Sequence, residues 1–209
     1  MFNRYFSVPD GNTDFLYANI AVKNINFALI SLYYIFDYKS FNPSIYHDEH
    51  SYYFYHLQSL LTACGSIYNV FYNYSNPAST NRSQRLREIL NIKKADFPLV
   101  FKKELRNTNI HFDERYEEFH CNIGDYNIID ENTDPYMKAV IETNPHLRTF
   151  DKDNLTYITY DRHLKRIKCD LRELRKELLS MMDIITENPI FESGWTDKIS
   201  SENIITNDK

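Results

Sequence analysis

Among the side chains able to move protons or hold an anion near neutral pH, one constellation has a usable spacing: Arg106, Asn107 and His111. Histidine titrates close to neutrality, so it can accept a proton and return it. Arginine is a permanent cation whose planar fork grips two oxygens of an anion at once. On a helix, at about 100° per residue, Asn107 and His111 share one face, which Glu114 and Glu118 continue; Arg106 flanks it, about 140° from His111. The same stripe also reads as a solvated surface, with Glu114 and Arg115 bracketing His111 at i+3 and i+4. Just upstream, Lys102 and Lys103 are candidates for attracting a phosphodiester backbone.

The other histidines carry less chemistry. His47-Asp48-Glu49-His50 has metal-ligating residue types, but acids at a helix start are favoured by the helix dipole alone, and no further ligands accompany them. Glu117-x-x-His120 is half of a di-iron carboxylate motif whose second half is missing. His56 falls in an uncharged helical stretch and is expected to be a hydrogen-bonded core residue. His146 and His163 fall in loop or turn positions. No Gly-x-Ser-x-Gly elbow occurs, and no cysteine has a polar setting that would make it a nucleophile. The residues therefore imply no metal and no cofactor.

Mostly helical elements must carry these groups. A first helix is expected from Thr13 or Asp14 to about Tyr38, with Phe15, Leu16, Ile20, Phe27, Ile30, Tyr34 and Ile35 at helical spacing. A second, roughly His50 to Tyr74, is apolar almost all round, and Ser51 to Asn81 contains no Asp, Glu, Lys or Arg. Such a helix belongs in a core or at a subunit interface. Asn76-Pro77 ends it, and Ser83 then caps a short basic helix, Arg85 to Asn91. From Asp96 to about Cys121, the stripe Phe97, Phe101, Leu105, Phe112, Tyr116 and Phe119 predicts a fourth helix, closed by Gly124. An acidic loop, 122–134, leads to a short helix opened by Asp134-Pro135 and stopped by Pro145. Leu155 to Tyr160 and Leu164 to Cys169 read as a β-hairpin, and Asp170 with Glu173 opens a last helix ending near Glu187. The expected architecture is mainly α: an up-and-down bundle of four or five helices with one small hairpin before the last. Residues 1–187 form a single domain and 188–209 a tail with a lone Trp195.

The segment Glu104-Leu105-Arg106-Asn107-Thr108-Asn109-Ile110-His111-Phe112-Asp113-Glu114-Arg115 resembles the signature of the HEPN family: Arg, a polar residue, a few further positions, then His. The bundle resemblance spans about residues 13–121, and the motif about ten residues. It implies a homodimer in which two motifs face each other and cleave RNA without a metal. His111 would serve as general base and acid, Arg106 would stabilise charge on phosphorus, and Asn107 would orient the ring or bind phosphate. The product would be a 2′,3′-cyclic phosphate, so DNA would be spared. The resemblance equally covers non-catalytic members, which implies an alternative: a helical dimerisation or interaction protein without enzymatic activity. A toxin-like or defence ribonuclease would also require a neutralising protein partner.

Composition sets the outer limits. Of 209 residues only four are glycine, and the nearest two, Gly11 and Gly65, are 54 positions apart. Neither a P-loop nor a dinucleotide fingerprint fits that spacing, so phosphate must be handled by side chains. The net charge is −5, yet residues 82–112 carry 8 basic against 3 acidic side chains, while residues 113–161 carry 4 against 12. Three widely separated cysteines form no C-x-x-C pair, which fits a reducing cytoplasm. The first residues lack a basic region followed by an apolar run, and Ser51 to Asn81 is too polar for a span, so neither a signal peptide nor a membrane partner is expected.

Overall fold

The computed structural model describes residues 13–38, 41–42, 44–46, 48–110, 114, 117, 133, 147–161, 163 and 165–189. The architecture is mainly helical, with a small antiparallel sheet before the last helix. In chain order the described elements are α1 (Asp14–Phe36), α2 (Glu49–Phe71), α3 (Pro77–Leu90), α4 (Lys103–Ile110), β1 (Arg148–Asp151), β2 (Thr156–Tyr160), β3 (Arg166–Asp170) and α5 (Leu171–Thr186).

Helix α1 starts without a side-chain cap, Thr13 making no capping hydrogen bond, whereas α2, α3 and α5 begin where side chains satisfy free N–H groups. Asp48 accepts from Ser51 N, and Asp170 accepts from Arg172 N and Glu173 N. Asn76 accepts from Ser79 N and is followed by Pro77, so the Asn-Pro pair expected to end the second helix instead opens the third. Ser83 is consequently not a cap. It is fully buried inside α3, where its hydroxyl donates to the Val70 carbonyl and pins α3 to the end of α2. Asn91 then closes α3 in the left-handed region at φ 50°, its N–H reaching the Arg87 and Glu88 carbonyls.

The fourth helix starts later than Asp96. Residues 94–101 form turns, and α4 begins at Lys103. Two causes are visible. Pro98 lacks an N–H and disfavours helical backbone at Phe97. The Glu177 carboxylate of α5, moreover, takes the N–H groups of Leu99 at 2.9 Å and Val100 at 2.9 Å, which a continuous helix would direct to the carbonyls four residues earlier. Phe97, Phe101 and Leu105 are buried as the stripe required. Phe112, Tyr116, Phe119 and Gly124, the helix expected after Asp134-Pro135, and the tail beyond Pro189 all lie outside the described residues.

The expected hairpin is present as β2 and β3, paired from Thr156 with Asp170 to Tyr160 with Arg166. It belongs to a three-stranded meander, because β1 adds to the free edge of β2 in the order β1-β2-β3. Strand β3 alternates cleanly, with Ile167 and Cys169 inward and Arg166 and Lys168 outward. Phe150 and Tyr157 carry the sheet onto the helical core, where the Phe150 ring lies 5.0 Å from that of Tyr53 on α2.

Helices α1 and α2 pack along their lengths in opposite directions, Tyr52 at the start of α2 donating to the Tyr34 carbonyl near the end of α1, and α1 also packs on α5. The buried face of α1 is Ala18, Ala21, Val22, Ile25, Ala28, Leu29, Leu32 and Ile35. Four of the seven residues predicted from spacing to be its core stripe (Ile20, Phe27, Ile30 and Tyr34) are instead exposed on the opposite side. With apolar residues on both sides, the spacing did not distinguish the face the chain itself covers.

Candidate functional site

Arg106 and Asn107 occupy consecutive positions of α4, and Asn107 is half-buried. The Arg106 side chain and all of His111 lie outside the described residues. Glu114 and Glu117 are helical and exposed. Lys103 is exposed at the start of α4, and the half-buried Lys102 ammonium donates to the Lys168 carbonyl at 3.4 Å. Glu177 holds the turn before α4 against α5. Burial pushes its carboxyl above the usual range, and the two backbone N–H groups it accepts oppose that shift.

The basic cluster ahead of α4 is largely committed to the fold. The Arg85 guanidinium grips both oxygens of buried Asp14 at 2.7 Å, joining α3 to the first turn of α1. Arg82 lies over the Tyr17 ring at 3.8 Å, and Arg87 over the Tyr72 ring at 4.4 Å. In the His-Asp-Glu-His stretch, Asp48 caps α2, Glu49 pairs with Lys152 at 2.9 Å, and His50 Nδ1 bonds the Thr133 hydroxyl at 2.7 Å. His47, His120 and His146 lie outside the described residues.

His56 is the hydrogen-bonded core histidine its position suggested. Its ring stacks on Tyr34 at 4.9 Å and its Nε2 meets the Tyr46 hydroxyl at 3.3 Å. Burial lowers its pKa to about 4, so the ring is neutral at physiological pH.

Among the described residues, a developed surface feature lies away from the residues singled out for chemistry. Between α1 and α2 runs an open groove of about 650 Å³. Along it stand Phe27 (49% exposed), Ile30 (39%) and Tyr34 (36%) from α1, with Tyr55 (58%) from α2; exposed Ile20 lies one heptad before Phe27 on the same side of α1. The polar groups of this face are turned onto their own helices. Asn24 donates to the Ile20 carbonyl at 2.7 Å, Ser31 to Phe27 at 3.0 Å, Ser59 to Tyr55 at 3.0 Å and Ser66 to Thr62 at 3.1 Å. Donors satisfied in this way require no water, so covering the face costs little polar desolvation. Neutral His56 lies at the floor of the groove, and no carboxylate lines it. The sequence signal for this face was present in the seven-residue spacing of Ile20, Phe27 and Tyr34 on a helix containing only Asp14 and Lys23 as charged residues.

By length and composition α1 is the one described helix able to cross a membrane. Its inner face is nonetheless core, and buried Asp14 at its start is paired with Arg85. No protein-family model, curated protein or solved structure matches this chain.

Proposed function

We propose that this chain is a non-catalytic helical docking module whose working surface is the outer face of α1 and α2. One observation carries the reading: α1 is apolar on both sides but covered on only one. A helix apolar all round is stable when both sides are covered. Large apolar and aromatic side chains offer roughly 150–250 Å² each when fully open, so at these partial exposures the five present on the order of 500 Å² of largely apolar surface. Patches above a few hundred Å² mark surfaces that bind. We place the protein in the cytoplasm, a reading supported by the free buried thiols of Cys64 and Cys169.

A photo-crosslinking phenylalanine analogue at position 27 tests the reading in cells. The expected result is a covalent protein adduct at position 27 and none at exposed Tyr74, which lies off the face. Absence of a protein adduct at position 27 overturns the docking function.

A second reading, metal-independent endoribonuclease, is favoured by Arg106 and Asn107 standing together on α4 with Lys102 and Lys103 at its start. Here His111 is general base and acid, Arg106 stabilises phosphate charge, and RNA is the substrate of a homodimer restrained by a neutralising protein. This reading requires cleavage to 2′,3′-cyclic ends in the presence of a chelator, abolished by His111→Ala. The docking reading expects the purified protein to leave RNA intact.

A further inference from the structure

Building on the docking reading, we infer that the occupant of the α1–α2 face is a second copy of this chain, packed face to face about a two-fold axis at Phe27. Three observations lead there.

The first is charge. The chain carries −5, so two copies repel through most of their surfaces. A two-fold contact lays a surface on itself and sets like charges against like. The α1–α2 face escapes that penalty. Lys23 is the one charged residue between Asp14 and the end of α1, and α2 carries none after Glu49.

The second is periodicity. Ile20, Phe27 and Tyr34 recur every seven residues, and Ile30 falls on the alternate seam position three residues after Phe27, with Lys23 one heptad before it. That is the spacing by which one helix packs along another. In an antiparallel pair centred on Phe27, Ile20 meets Tyr34 of the other copy, Asn24 meets Ile30, and Lys23 meets Ser31. The Lys23 ammonium, 5.7 Å from its own Phe27 ring centre, then lies beside a hydroxyl and aromatic faces rather than another cation. Beside this ridge runs the groove that Phe27 itself lines, so the two Phe27 rings that meet at the axis each have a depression alongside them.

The third is area. The apolar surface of on the order of 500 Å², with the polar rim of Asn24, Gln58, Ser59 and Thr62, approaches the roughly 800 Å² per partner of a stable interface.

The arrangement has a consequence for α4. The turn leading into α4 and its first residues pack against Leu61, Cys64 and Tyr68 of α2, whereas the groove uses Tyr55, Ser59 and Thr62. At about 100° per residue these two sets lie roughly 150° apart around α2. The two α4 helices of such a dimer therefore point outward, away from each other.

Sedimentation of the full chain over a range of concentrations, combined with charge substitutions at the axis, tests the inference. The wild type is expected at twice the chain mass. Phe27→Glu and Phe27→Lys, at a position already half-exposed, should each sediment as single chains with unchanged helical circular dichroism, their self-association weakened at least a hundredfold. Mixed in equal amounts they should re-form the double-mass species, because the axis places position 27 against position 27. A wild type of single-chain mass at every concentration overturns the second copy. If the position-27 crosslink to another protein persists in that case, the docking reading stands; if it is lost as well, both fall. Phe27-dependent binding to phosphatidylcholine–phosphatidylglycerol vesicles by a single-chain species also overturns both. A dimer unaffected by the Phe27 variants places the interface elsewhere and overturns this assignment.

Discussion

His56 shows how a residue type that promises chemistry becomes structural once its surroundings are known. Enclosed by Tyr34, Tyr52 and Tyr55 and bonded to Tyr46, it is held neutral, with its pKa lowered to about 4 from an ordinary 6.5. The folded state therefore binds fewer protons than the unfolded state between those values. Its contribution to stability is complete above about pH 6.5 and is lost as pH falls toward 4. At about 1.4 kcal/mol per pKa unit the loss amounts to roughly 3 kcal/mol, and His56→Gln should flatten it. Urea unfolding from pH 7 to pH 4 reads both quantities; an equally steep decline in the variant contradicts the assignment. The Asp14–Arg85 pair is a second residue-scale latch. Asp14→Ala leaves Arg85, half in solvent, without its partner and should lower stability by about 1–2 kcal/mol, with the first turn of α1 exchanging its amide protons faster. Unchanged unfolding midpoints would show the latch to be ornamental. Neither partner choice was legible from sequence, because Asp14 and Arg85 are 71 positions apart.

At the level of elements, much more was readable. Helices α1, α2 and α5 and the β2–β3 hairpin follow from hydrophobic period, capping residues and β-branched runs, and their ends fall within a few residues of expectation. Elements whose boundaries depend on distant groups were not readable. The turn before α4 exists partly because Glu177, 78 positions from Leu99, supplies acceptors there. Glu177→Ala should release it at a cost of about 2 kcal/mol, since two buried N–H groups lose their acceptor. Hydrogen exchange at Leu99 and Val100 should rise well before global unfolding, while Glu177→Gln, which retains one acceptor oxygen, should restore part of the protection. Exchange that stays slow in both variants would show that Pro98 alone shapes the turn. Strand β1 was missed because four residues with one apolar side chain carry little period, and its pairing with β2 supplies the missing definition. The basic stretch before α4 suggested anion attraction by composition, whereas Arg82, Arg85 and Arg87 are aimed at Tyr17, Asp14 and Tyr72.

For the whole molecule, the question is where a chain rich in aromatic residues and poor in glycine places its rings. Among the described residues, many are buried or half-buried, in the cluster at the start of α2 and in the packing of Phe71, Tyr72 and Phe101. Three exposed rings, Phe27, Tyr34 and Tyr55, share a face almost free of charge. That segregation was half-visible in the sequence as an uncharged second helix suited to a core or an interface. Its other half, the outer side of α1, was concealed by the helix being apolar on both sides. The Arg106, Asn107 and His111 constellation remains an expectation of sequence; Arg106 and Asn107 belong to α4, which packs on the side of α2 away from this surface. The most direct test of the docking claim compares two tyrosines that are equally open in the isolated chain, Tyr55 on the face and Tyr74 off it, each 58% exposed. Hydroxyl-radical footprinting of the intact protein in cells should modify Tyr55 several-fold less than Tyr74. Equal modification of the two would mean that nothing covers the face, and the account would be wrong.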